Sequence, residues 1–198
     1  MTHPFPLHNQ PLTPPLHLRV GFEMEYECPR PTPMLLALNI HYSRASDLVQ
    51  ADQLHTTPPV PLSAYRDTFG NWCSRLVAPA GRFVITTTAL LRDSGLVDAS
   101  AVGVPQTPVE YLPESALEFL LGSRYCETDH LSDFAWAQFG NGPTGGERVQ
   151  AICDFVHHHI EFGYPHARRT RSALEAFNER QGVCRDFAHL AIALCRCM

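Results

Sequence analysis

Gln181-Gly182-Val183-Cys184-Arg185-Asp186-Phe187 sets a cysteine two residues after a helix-breaking glycine and directly before an apolar helix. Downstream, Phe187, Leu190, Ala191 and Leu194 recur at i, i+3, i+4 and i+7, one face of a 3.6-residue helix. Cys184 therefore falls in or just before the first turn. Unpaired amide N–H groups converge on such a turn and, with the helix dipole, favour thiolate over thiol. Upstream, Ser172-Ala173-Leu174-Glu175 has the S-x-x-E form of a capping box and predicts a helix from Ala173 to about Arg180. Gln181 and Gly182 end it, with glycine expected in the left-handed C-terminal position.

The neighbours of the cysteine have roles of their own. Asp186 complements the dipole at the helix start, while a carboxylate close to the sulfur opposes ionisation of the thiol; Arg185 is the residue that offsets it. His189, five positions after Cys184, points away from the thiol on a helix and is read as a packing group or a support behind the site. Tyr164 and Arg169, in the preceding loop, are candidates for lining a substrate groove, against ordinary packing for the first and solvent for the second. The backbone N–H of Cys184 is a ready oxyanion donor.

The run from Thr170 to Cys195, T-R-S-A-L-E-A-F-N-E-R-Q-G-V-C-R-D-F-A-H-L-A-I-A-L-C, resembles the nucleophile segment of the bacterial transglutaminase-like cysteine protease family. Ser123-Arg124-Tyr125-Cys126 and Asp133-Phe134-Ala135-Trp136 resemble the approach to that family's core, and the N-terminal half is similar to its β-rich N-terminal region. The resemblance implies a papain-like Cys-His-Asp apparatus. Its nucleophile is Cys184 at the start of a core helix, the other two members lie on strands of a following sheet, and its substrate is a peptide or protein amide.

The chain ends at Met198, fourteen residues after Cys184, and none of its eleven histidines lies beyond His189. No residue matches the family's general base, so the chain reads as a fragment, truncated after the nucleophile helix, that lacks the complete triad. Loss of a covering sheet is expected to expose the Phe187, Leu190 and Leu194 face and to favour a homo-oligomer.

Composition narrows the remaining possibilities. A length of 198 residues with 44% hydrophobic content allows one large domain or two small ones with a real core. The formal charge is -5, and the only basic cluster is Ala167-Arg168-Arg169-Thr170-Arg171, read as a solvated turn; nucleic acid is not an expected partner. The start carries no basic and apolar leader pattern and no run approaches a membrane span, so a cytoplasmic location without membrane attachment is expected. Seven irregularly spaced cysteines fit reduced thiols.

Along the chain, a Pro-rich flexible lead-in covers 1–15, a β-rich domain 16–112 and a helical part 113–198. Leu16 to Glu27 alternates as a half-buried strand, Met34 to Ile40 is a second strand, Gly70-Asn71 marks a hairpin, and Phe83 to Thr88 is rich in β-formers. Glu114–Leu121, Leu131–Phe139 and Glu147–Phe162 read as helices. The last carries a stripe of Val149, Ile152, Cys153, Val156 and Ile160, and the glycines from Gly140 to Gly146 form a connector. The expected fold class is α+β: an antiparallel β-sandwich-like domain followed by the helical first half of a transglutaminase-like, papain-like core.

His157-His158-His159 invites a metal, but successive helical residues diverge by about 100° and cannot converge on one ion; an exposed helix edge is the simpler reading. Cys153 with His157, and Cys184, His189, Cys195 and Cys197, add soft ligands without a C-x-x-C knuckle. No metal and no cofactor is expected. The function these residues indicate is a cysteine hydrolase or acyltransferase working through a thioester on Cys184. The alternatives are a non-catalytic interaction or assembly module, and a Cys/His metal-binding domain.

Overall fold

A computed structural model describes residues 16–198; the Pro-rich lead-in expected over 1–15 lies outside the described residues. The chain divides between Val97 and Asp98 into two compact units. The architecture is the expected α+β class with antiparallel sheets.

The first unit is built on two long strands, β1 (Leu16–Cys28) and β7 (Gly81–Asp93), paired antiparallel without interruption from Leu16 opposite Asp93 to Cys28 opposite Gly81. β3 (Leu48–Gln50) and β4 (His55–Thr57) pair along the other edge of β7. A second sheet has the order β2 (Thr32–Leu36), β6 (Trp72–Ala78), β5 (Ser63–Arg66). The core lies between them: Phe83 and Ile85 from one sheet pack with Leu36, Leu76 and Ala78 from the other. The hairpin expected at Gly70 joins β5 to β6. Gly70 takes φ +86°, and Asp67 Oδ1 accepts from the N–H groups of Phe69 and Asn71.

Two expectations shift in this unit. The second strand occupies Thr32–Leu36 rather than Met34–Ile40, because Asn39 and Ile40 turn to hydrogen-bond Asp52. β1 is an edge strand whose apolar row is less covered than alternation suggested, with Leu16, Leu18 and Val20 at 50%, 39% and 41% exposure.

The second unit is helical: α1 (Glu114–Leu117), α2 (Ser132–Phe139), α3 (Gly146–His159), α4 (Ala173–Glu179) and α5 (Cys184–Cys197). Its core joins Leu131, Ala135 and Phe139 with Ile152, Val156 and Ile160, and with Leu190, Ala193 and Leu194 of α5. Leu190 and Leu194 are fully buried, so the face expected to be exposed is instead covered by the preceding helices. The α3 stripe is narrower than expected, since Val149 and Cys153 are exposed.

Helix ends also differ from the sequence reading. The helix expected to reach Leu121 stops at Leu117. α3 stops at His159, and Glu161–Phe162 becomes β8, parallel to β9 (Gln181–Gly182), because Glu161 N–H donates to the Arg180 carbonyl and Gly163 N–H to that of Gly182. The capping box of α4 forms as expected, with Ser172 and Glu175 bonded reciprocally. The left-handed residue after it is Arg180, at φ 55°, not a glycine. Among the described residues no helix is long and apolar enough to cross a membrane.

Burial sorts the two apolar faces of α5 into different energetic classes. Leu190→Ala should lower unfolding free energy by about 2–5 kcal/mol through lost burial and a residual cavity, whereas Ile192→Ala, at a position 42% exposed, should cost less than about 1 kcal/mol. Urea denaturation of the two variants checks the contrast.

Candidate active site at the start of α5

The site is assembled by the turn that delivers the chain to Cys184. β9 is held by β8, and Gly182 is buried against Asp186, where a Cβ would lie 2.7 Å from both Cβ and Oδ2 of the aspartate. Glycine is thus required by the close approach of the carboxylate, not by a left-handed backbone. Val183 is the N-cap in extended geometry, φ -117° and ψ 176°. Valine has no side-chain acceptor, so only half of a capping box is made: Asp186 Oδ2 accepts from Val183 N–H at 2.9 Å. Cys184 is the first residue of α5, and it is exposed.

Asp186 is 1% exposed, and a buried carboxylate must be compensated. Its Oδ2 also receives Arg171 Nη1 at 3.1 Å, and its Oδ1 receives Arg185 Nη2 at 3.3 Å. Arg171, itself 3% exposed, donates further to the His166 carbonyl and pairs with Glu179 at 3.0 Å. Arg168 pairs with Glu175 and Glu179. The basic cluster read as a solvated turn is therefore corrected in part: Arg169 is exposed, but Arg171 is an interior cation that ties the loop before α4 to the first turn of α5. Burial pushes the Asp186 carboxyl up, yet the Val183 N–H, Arg171 and Arg185 together hold it below its ordinary value. The same cations offset the charge that a carboxylate would otherwise direct at the sulfur.

The remaining candidates divide. Arg185 reaches back to the carbonyls of Arg168 and Arg169 and lies 5.8 Å from the centre of the Tyr125 ring. His189 stacks on Tyr125 with centroids 5.7 Å apart, and its Nδ1 is buried without a hydrogen-bond partner. Burial and then Arg185 lower its pKa. Tyr164 is 77% exposed and packs edge-on against Phe162, which in turn meets Phe187.

The histidine triplet is not uniformly an exposed edge: His157 and His158 are exposed, but His159 lies between Phe155 and Phe177, its Nε2–H bonded to the Phe177 carbonyl at 2.7 Å. Burial raises the Cys195 thiol to about 11, and Cys197 donates to the Thr128 carbonyl. Among the described residues no group of three or more His, Cys, Asp or Glu is placed to hold a metal ion.

Sequence reasoning missed Arg171 and Tyr125. A signal was available for the first, since an aspartate in the opening turn of an apolar helix needs a cation and Arg171 directly precedes the α4 capping box. Nothing local marks Tyr125, which reaches the site through the Ala173 N–H bond to its carbonyl and through its ring.

Residues 133–198 match the model of the transglutaminase-like superfamily. That match covers the C-terminal third of the chain, the stretch that holds the candidate site. In a comparison with solved structures it is similar to one described as a "putative cysteine protease" from Cytophaga hutchinsonii, with a TM-score of 0.79 and 27% identity over 93% of this chain. The match spans 64% of that protein's chain. No curated protein matches. The matched residues run from the second residue of α2 through α5 and include Arg171, Cys184 and Asp186.

Removing the charge of Asp186 while keeping its shape leaves Arg171 under-compensated in the interior. Asp186→Asn should lower stability near neutral pH by about 3 kcal/mol. A depressed carboxylate stabilises the fold above its unfolded value of about 3.9 and loses that contribution as pH falls through the lower folded value. The gap between wild type and Asp186→Asn should therefore close in acid, as measured by denaturant titrations across pH.

Proposed function

We propose that this chain supplies the nucleophile of a transglutaminase-like cysteine hydrolase or acyltransferase acting on amide bonds. The observation that carries the reading is the exposed position of Cys184 as the first residue of α5. Cys184 opens the helix where backbone N–H groups lack intrahelical partners, and the turn is tied to the loop before α4 by the Asp186–Arg171 pair.

In the proposed reaction the thiolate attacks the carbonyl carbon of a peptide or protein amide, forming a C–S bond. The resulting oxyanion is met by backbone N–H groups that include that of Cys184. Collapse expels the amine, which leaves with the proton taken from the thiol, and a thioester remains. Water or a second amine then attacks the thioester and releases the sulfur. Hydrolysis and transamidation share this intermediate.

Proton transfer in that scheme needs a general base and acid. Among the described residues no imidazole is hydrogen-bonded to Cys184, and His189 is committed to Tyr125. The histidine base and orienting aspartate of the scheme are what the family resemblance implies, and this chain spans 64% of the length of the Cytophaga hutchinsonii protein. In the proposed scheme this chain contributes the nucleophile Cys184 and, through the backbone N–H of Cys184, an oxyanion donor.

Cys153 provides an internal control, being exposed but placed mid-way along α3. With iodoacetamide near pH 7, Cys184 should be alkylated about tenfold faster than Cys153. Mass-spectrometric mapping reads both sites in one sample. Equal rates would favour a non-catalytic interaction module instead.

A further inference from the structure

Within the first unit, a cleft of about 490 Å3 lies between the β5–β6 strands and the segment joining β3 to β4. Asp52 and Leu54 come from the segment joining β3 to β4, Trp72 and Ser74 from β6, Leu62 from the approach to β5, and Asn39 from the turn after β2. Its volume is that of an ordinary small-ligand site, and its mixture of apolar walls with a few fixed polar groups is the usual one.

Asp52 sets the chemistry of the cleft. Its Oδ2 accepts from Ile40 N–H at 2.5 Å and Asn39 Nδ2 at 3.2 Å, and its backbone carbonyl accepts from the same amide at 2.9 Å. These bonds hold the carboxylate in one orientation, but every donor is neutral. Among the described residues no arginine or histidine forms an ion pair with Asp52, and Oδ1 receives no hydrogen bond. The chain contains no lysine that could fill the role, all fifteen Lys+Arg cations being arginine. A fixed, half-buried carboxylate without a cation, beside an aromatic ring and two leucines, matches a cation on an apolar stem.

We propose that this cleft binds an alkylammonium group, with the ammonium held by Asp52 and its methylene chain lying against Leu54, Leu62 and Trp72. The same chemistry is presented by a lysine side chain of a partner protein and by a free aliphatic diamine. Trp72 is already anchored from elsewhere, with the Arg66 guanidinium 5.3 Å from its ring centre, so the indole is a preset wall. The site lies wholly in the first unit and does not rest on any role for Cys184; Cys184→Ser should leave it unchanged.

The test is a titration of 15N-labelled chain with n-pentylamine hydrochloride and with 1-pentanol, a neutral molecule of the same length, followed by amide and indole N–H shifts. Shifts should concentrate at Asp52, Leu54 and the Trp72 indole, and the ammonium should bind at least about tenfold more tightly than the alcohol. Asp52→Asn should abolish that preference. Because Asp52 also anchors the turn at Ile40, Trp72→Leu serves as a second variant and should weaken the ammonium without touching those bonds.

Equal affinity for the two probes, shifts elsewhere, a preference that survives Asp52→Asn, or a stronger response to glucose would overturn the proposal. Nα-acetyl-lysine methylamide and cadaverine then separate the sources. Tighter Asp52-dependent binding of the first identifies a protein lysine, and of the second a free diamine; Asp52-independent binding of both counts against the site.

Discussion

The buried pair between Arg171 and Asp186 is the constraint on which the nucleophile turn depends. Both side chains are almost wholly withdrawn from water, and each would be costly there alone. Together with the Val183 N–H, His166 carbonyl and Glu179 they form a closed set in which donors and acceptors largely match. The set joins three neighbouring stretches: the loop carrying His166 and Arg171, the end of α4 at Glu179, and the first turn of α5. A helix start is ordinarily prone to fraying; this one is pinned by charge from beneath and by the β8–β9 pair from the side.

Much of this was legible in the sequence, for reasons that can be named. The α5 stripe, the α4 capping box and the long alternation of β1 are local patterns with a fixed period, and each appears where its residues place it. The errors have a common source in contacts made across the chain. Gly182 looked like a helix terminator, yet it is small because Asp186 presses on it, while Arg180 takes the left-handed turn. Phe162 looked like the end of a helix until its neighbours bonded to β9. Arg171 looked like one of three solvated arginines, and only the position of Asp186 distinguishes it from Arg169.

His159 makes the same point. Three consecutive histidines have no periodicity that separates one from another, so a single description was applied to all three. In the fold the last is enclosed by Phe155 and Phe177 and joins the end of α3 to the end of α4. The ring is used there as a flat apolar body with one polar edge, a packing role that no spacing rule anticipates.

Setting Cys184 in open solvent at the head of a helix has a chemical cost. A sulfur accessible to a large carbonyl compound is equally accessible to peroxide, whose first product on a cysteine is sulfenic acid. Cys195, half-buried and with its proton held more firmly, is the slower target for the same reagent. Oxidative damage should therefore reach the very atom on which the proposed chemistry relies, and keeping that sulfur reduced becomes a condition for that chemistry.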